Sequence, residues 1–181
     1  NGDLVKCRSL VDYAKSFGCD TVVSESPNDR WDIVITPTPA DGFFQSSFVN
    51  GIWTSKGGKH VDAVTDQVVG HIVDHLEQKK KCKAKPSTVR EHLGIFISCL
   101  IENPSFTSQT KECLTTKVSA FGSSPKLSDD TLKKVVSKLG ILEAILAAQD
   151  GGERFLLGEF FSAGEEFNGV ARDQDLDFVD A

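Results

Sequence analysis

Apolar positions recur every three to four residues in some stretches of this chain, alternate with polar ones in others, and lose any period after Gln149. The helical spacing is clearest at Val61, Val64, Val68, Ile72 and Leu76, whose single stripe predicts an amphipathic helix. Asp62 falls in its first turn and Lys79, Lys80 and Lys81 follow its end, as the helix dipole favours. A second helix is predicted to open at Ser128, its N-cap, with Asp129 and Asp130 in the first turn. Its inner face reads Leu132, Val135, Val136, Leu139, Leu142, Ile145 and Leu146. A short buried segment around Leu4, Leu10 and Val11 is read as helical to about Phe17, where Gly18 stops it. Thr88 and Glu91 have capping-box spacing for one more helical turn.

Strand signals lie between these helices. Trp31, Ile33 and Ile35 alternate with Asp32 and Val34, and Pro37, Pro39 and Gly42 break the run into a loop. The next strand is predicted over 44–54, carrying Phe48, Ile52 and Trp53. Leu93 to Ile101 is continuously apolar apart from Ser98, short, and therefore read as a buried central strand. Asn103-Pro104 ends it, a polar loop follows over 105–112, and a further strand is read over 114–121 before a turn at 122–125. The polar tract 24–30, with Pro27, is read as a turn, and 79–85 as a basic loop. Strands alternating with two good helices predict an α+β fold, a sheet covered by helices on one face.

Composition narrows the classes. At 181 residues, with 39% apolar and 25% charged residues, the chain has the make-up of a soluble domain with a real core. No apolar run approaches the ~20 residues of a membrane span. The chain begins at Asn1 and contains no methionine, which leads us to expect a processed or partial product; no signal peptide is legible. The five cysteines (Cys7, Cys19, Cys82, Cys99, Cys113) form no CxxC pair, so neither a disulfide scaffold nor a zinc site is expected, and a reducing compartment is. The net charge of −6 is concentrated: 150–181 holds nine acids against two bases, a net −7, leaving +1 for 1–149. The expected organisation is a domain over 1–149 and an acidic tail over 150–181 with Phe155, Phe160, Phe161, Phe167 and Phe178. That tail reads either as a docking arm or as a disordered acidic end.

Chemistry-bearing patterns are few. No nucleophile–base–acid triad has a specific spacing, and Ser55-Lys56-Gly57-Gly58-Lys59 lacks the spacing of a phosphate loop. His71 and His75 stand four apart on the first helix, a metal-binding spacing, but no third ligand accompanies them and no metal is assigned.

Longer strings carry more. Phe48-Val49-Asn50-Gly51-Ile52, Thr54 and Gly57-Gly58-Lys59-His60-Val61-Asp62 form one; Ile101-Glu102-Asn103-Pro104 with Phe106 and Ser108-Gln109-Thr110-Lys111-Glu112 form another. Phe121-Gly122-Ser123, Leu127-Ser128, Val5-Lys6 with Arg8-Ser9, and Asn28 with Arg30-Trp31 complete the set. In order and near-spacing, over about 3–148, this resembles the transducer domain of eukaryotic-type type IIA DNA topoisomerases.

The resemblance implies a ribosomal-protein-like fold, a mixed sheet of about four strands backed by helices, with a left-handed crossover that departs from the usual hand. It implies a preceding GHKL-type ATPase domain that binds ATP and Mg²⁺, neither of which this chain would hold alone. By match, Lys111 would contact the γ-phosphate and Gln109 would help hold the nucleotide. Lys79, Lys80 and Lys81 match a basic loop facing DNA, or else are a solvated helix end; phosphate neutralisation there would be sequence-independent and salt-sensitive. Gly57, Gly58 and His60 read as a structural turn opening the helix. The implied setting is nuclear, or else an organelle or other intracellular assembly with any targeting peptide already removed, and the enzyme is a homodimer when whole.

These 181 residues depart from the family by lacking GHKL motifs, a TOPRIM metal motif and a strand-cleaving tyrosine; the sole tyrosine is Tyr13. No catalytic residue is assigned. Two readings follow. One is part of an ATP-driven topoisomerase that passes one duplex through another. The other is a stand-alone structural or interaction subunit of a host protein complex, docked through its acidic tail.

Overall fold

The computed structural model describes residues 7–148, so Leu4 and the acidic tail over 150–181 lie outside the described residues. The chain divides into one compact unit, Asn1–Ile145, and a second, Leu146–Ala181; the fold below is that of the first. It is α+β. Strands β1 (Val23–Asn28), β2 (Trp31–Pro37), β3 (Phe44–Val49), β4 (Ile52–Trp53) and β5 (Leu93–Cys99) form one mixed sheet in the order β1-β2-β5-β3-β4. The helices are α1 (Leu10–Lys15), α2 (Lys59–His75), α3 (Pro86–Glu91) and α4 (Asp129–Lys138), and a further helix opens at residue 141.

β5 is the central strand. It pairs antiparallel with β2, Ile33 opposite Ile97 and Ile35 opposite Ile95, and parallel with β3, Ser47 opposite Ile97. Six of its residues are buried, which is why the segment shows no polar alternation. Because a strand turns successive side chains to opposite faces, Ile95 and Ile97 share one face with Ile33 and Ile35, and Phe96 shares the other with Val34.

Both faces are covered, not one as expected. α1 closes the Phe96 side: Ala14, Cys19, Val34 and Phe96 form a buried cluster with Leu10, Tyr13 and Phe44 packed on it. Rings of Tyr13, Phe17 and Phe44 lie 6.0, 5.5 and 5.5 Å from that of Phe96. α1 was legible as a short helix but not as a sheet cover, because its apolar contribution is mostly aromatic and only half-buried. α2 lies across the opposite face with Val61, Val64, Val68 and Ile72 buried, and α4 packs on α2 and β1. Ser128 caps α4 by accepting a hydrogen bond from the Thr131 N–H, and the Glu25 carboxylate of β1 accepts one from the Ser128 N–H.

Several predicted boundaries move. The 24–30 tract is mostly strand β1; Pro27 is tolerated because β1 is an edge strand and its register shifts between Glu25 and Asn28. The single strand over 44–54 is a hairpin, β3 and β4, turning at Asn50-Gly51, whose φ of 51° and 77° suit an Asn-Gly turn. Residues 114–121 form no strand: only isolated bridges at Leu114 and a 3₁₀ turn at Val118–Ala120 are present, since Leu114, Thr116 and Phe121 are buried and the rest exposed. α3 starts with Pro86 at its first position and Lys85 as N-cap, so Thr88 is interior and makes no capping box. The long second helix is broken at Gly140, φ 64°, into α4 and the helix from 141.

Phe96→Ala removes the hub of the α1 face and is expected to cost about 3–5 kcal/mol, read from urea unfolding. Hydrogen exchange in α1 should accelerate with it; an unchanged stability would mean that α1 does not cover the sheet.

Candidate functional site

Two of the strings found in the sequence meet at one end of the sheet. Asn50 leaves β3 and its side chain acts as a strand partner for the chain beyond β5: its amide donates to the Ile101 carbonyl at 3.0 Å and accepts from the Ile101 N–H at 2.9 Å. Farther along, the Gly57-Gly58 turn runs against Leu114. The Leu114 N–H donates to the Gly57 carbonyl at 3.0 Å, the Lys59 N–H to the Leu114 carbonyl at 3.0 Å, and the Lys56 N–H to the Glu112 carbonyl at 2.9 Å. Only glycine permits this approach. Gly58 has φ 127°, and a Cβ there would lie 2.3 Å from the Leu114 carbonyl oxygen. A Lys56–Glu112 ion pair at 2.5 Å closes the clasp at its solvent side.

The clasp and a second set of bonds, Thr115 N–H to Ser105 O and Thr107 N–H to Cys113 O, draw 105–115 into a closed loop. Ser108, Gln109, Thr110 and Lys111 form its exposed tip. The Lys111 N–H bonds the Ser108 carbonyl at 3.0 Å, and Ser108 and Thr110 hydroxyls meet at 2.6 Å, so the tip is a turn held by its own bonds. Lys111 adopts φ 57°, a left-handed conformation uncommon for a residue with a Cβ. No ion pair among the described residues involves its ammonium.

His60 sits beneath the glycine turn and is fully buried. Its Nε2 lies 3.3 Å from the Thr54 hydroxyl, which in turn meets the Ser47 hydroxyl at 2.6 Å; Nδ1 has no hydrogen-bond partner. Burial pushes the imidazole pKa down to about 4, so the ring is neutral near pH 7 and packs as part of the core.

The basic run lies elsewhere on the fold. α2 does not end at His75 but widens into a π-helical turn, Leu76–Lys80, that holds Lys79 and Lys80 on the helix; they do not belong to a loop as expected. Lys81 then takes φ 53°, and its N–H and that of Cys82 both reach the Leu76 carbonyl, a helix stop usually built with glycine. Lys79, Lys80 and Lys81 are all exposed. Thus each candidate segment presents a lysine with a left-handed backbone, a strain that costs of order 1–3 kcal/mol and clusters at functional sites.

A further junction joins the shorter strings. The Trp31 indole donates to Ser123 at 2.8 Å, the Asn28 amide to the Ser124 carbonyl at 2.9 Å, and Arg30 pairs with Glu102 at 2.6 Å. Sequence inspection named Asn50, Lys56 and Glu112 only as members of longer strings and gave none of them a role. The Asn-Gly pair was the available signal for the first; Lys56 and Glu112 meet only through the fold. Among the described residues no three His, Cys, Asp or Glu side chains converge as a metal site.

Residues 16–149 match the family described as DNA gyrase B. The chain belongs to that family. It is 48% identical over 147 residues to DNA topoisomerase 2-beta of Homo sapiens, a match that covers 77% of this chain and 9% of the relative. It is 42% identical over 161 residues to DNA topoisomerase 2 of Arabidopsis thaliana, covering 83% and 11%. The chain therefore spans only about a tenth of the length of these relatives. Among solved structures, the ATPase and transducer domains of DNA topoisomerase II from Balamuthia mandrillaris superpose with a TM-score of 0.71 at 45% identity, covering 75% of this chain and 35% of that one. The ATPase region of Saccharomyces cerevisiae topoisomerase II gives 0.72 at 35%, covering 83% and 39%. The chain is thus similar to part of the ATPase and transducer region of type II topoisomerases.

Gly58→Ala should destabilise the fold by more than about 1 kcal/mol and speed hydrogen exchange over 105–115. Gly70→Ala, at an open helical position, should instead gain roughly 0.5–1 kcal/mol; equal effects of the two would refute the clasp. His60 adds a pH signature. Unfolded, it takes a proton near 6.5; buried, only near 4. The unfolded state binds more protons in that window, so this contribution is whole above pH 6.5 and is lost as pH falls toward 4, at up to ~1.4 kcal/mol per unit. Stability of His60→Gln, measured against the parent over that range, should fall less steeply.

Proposed function

We propose that this chain is the transducer part of an ATP-dependent type II DNA topoisomerase, and that its 105–115 loop senses the γ-phosphate of ATP through Lys111 and Gln109. One observation carries the reading: an exposed lysine with no ion-pair partner among the described residues stands at the tip of a loop whose stem is bonded to the sheet edge and to the opening of α2. A rigid stem and an uncompensated compact charge suit a contact that registers whether a terminal phosphate is present.

The residues fit that ligand. Lys111 supplies three N–H donors and Gln109 an amide, both solvent-facing, while Lys56 and Glu112 neutralise each other behind them. The nucleotide and its Mg²⁺ belong to a GHKL-type ATPase domain, which supplies the hydrolytic chemistry. A charge-assisted hydrogen bond at Lys111 is worth about 1.5–3 kcal/mol, enough to shift a two-state equilibrium roughly 10- to 150-fold. The clasp would pass that change to α2 and the sheet, and so to strand passage.

In the same reading 1–149 is the transducer domain, with a left-handed β3-to-β5 crossover, and 150–181 is an appended acidic tail. Lys79, Lys80 and Lys81 contact the phosphate backbone of DNA, the whole enzyme is a homodimer, and it works in the nucleus, like its eukaryotic counterparts. The topoisomerase and gyrase matches favour this over a stand-alone interaction subunit.

In the intact enzyme, Lys111→Ala and Lys111→Gly are both expected to lower the ATPase rate about tenfold or more. Lys111→Gly relieves the left-handed backbone, so its fold should be at least as stable as the parent. ATPase unchanged in both variants would sink the phosphate-sensing role.

A further inference from the structure

A groove of about 500 Å³ lies between the C-terminal half of α2 and α4, away from the clasped loop. His71, Asp74, His75 and Lys79 line one wall, and Lys133 and Ser137 the other. Three features mark it as an anion site. Cationic or proton-accepting side chains outnumber the single acid, Asp74. Among the described residues Lys133 pairs only with Asp130, at 3.8 Å with both side chains mostly exposed, and such surface pairs hold little energy. The pKa of His75 lies below its ordinary value, first through burial and then through the charges of Lys79, His71 and Lys80, so the positive groups already oppose one another.

The groove is open and wide enough for a phosphate with its attached sugar. Lys79 in its lining is followed along the chain by exposed Lys80 and Lys81, and the Lys80 charge is close enough to act on His75, so further positive charge stands near the groove. A lone carboxylate would use none of these; a chain of phosphates would use them all.

We propose that this groove binds a phosphodiester of nucleic acid, gripped between Lys79 and Lys133 with the Ser137 hydroxyl as an added donor. The inference rests on the reading of Lys79, Lys80 and Lys81 as a DNA contact and extends it to His71, His75, Lys133 and Ser137. A bound oxyanion stabilises the imidazolium of His75 against Lys79, Lys80 and Lys133, with Asp74 acting in the same sense. Binding therefore draws a proton onto His75 and tightens as pH falls.

The test uses the whole 181-residue chain and a short DNA duplex. Anisotropy across a salt series gives the affinity, and proton NMR follows the His75 ring through a pH titration. Lys133→Gln is an exposed change on α4 that leaves the core untouched. It should weaken binding and reduce the slope of log affinity against log salt by about 0.9. The duplex should move the His75 titration to higher pH, and less so in Lys133→Gln. Unchanged affinity and slope in Lys133→Gln, or a His75 titration indifferent to the duplex, would overturn the groove. If Lys80→Gln and Lys81→Gln weaken binding while Lys133→Gln does not, the helix-end contact stands and the groove falls; the reverse pattern keeps the groove and removes the helix end. Inorganic phosphate that moves His75 where the duplex does not would make the ligand a free phosphate and reject the nucleic-acid assignment. A duplex that fails to bind at all rejects it too.

Discussion

The burial of β5 is the constraint from which the rest of the unit follows. A seven-residue segment, Leu93–Cys99, with apolar side chains on both faces can satisfy its backbone only between two other strands, and its side chains only between two layers. β2 and β3 supply the backbone partners. α1 with its aromatic cluster supplies one layer, and α2 the other. Parallel pairing with β3 then demands a crossover, and α2 is that crossover. The long helix is thus both a cover for the sheet and the link that carries the chain from the glycine turn to the basic end.

The clasped loop is a consequence of where β5 ends. The chain leaving Cys99 passes at once into the side chain of Asn50 and reaches the loop, then returns along Gly57 and Gly58. Backbone meets backbone there, closer than any side chain would allow, so the loop stem has little freedom to shift without the opening of α2 shifting too. The buried Ser47, Thr54 and His60 groups tie the hairpin to that opening from beneath. A contact made at Lys111 would therefore be mechanically continuous with the sheet, as the proposed phosphate-sensing role requires.

Charge is arranged as unevenly in space as along the chain. Acids and bases pair at the clasp and at Arg30–Glu102 and Arg90–Asp62, where they stabilise junctions between elements. The lysines of the loop tip and of the π-helical turn have no such pairing among the described residues, and both segments hold a lysine at positive φ. Local strain and uncompensated charge coincide at the two places the family resemblance marks for phosphate contact.

By itself the sequence determined the elements whose signal is internal to them. The stripe from Val61 to Leu76, the Ser128 cap with Asp129 and Asp130, and the unbroken apolar run of β5 each need only nearest neighbours on one helix or strand, and each is found within a residue or two. The long strings likewise disclosed the family, because they are order and spacing and nothing else. Tertiary structure decided what depends on partners. β1 is a strand despite Pro27 because β2 offers it an edge; 114–121 is not, because no strand pairs with it beyond the isolated bridges at Leu114. α1 covers a second face with aromatics that no helical period announces. Lys56 and Glu112, and the groove between His75 and Lys133, join residues far apart in the chain. Their chemistry arises from distance in space, which one-dimensional periodicity does not encode.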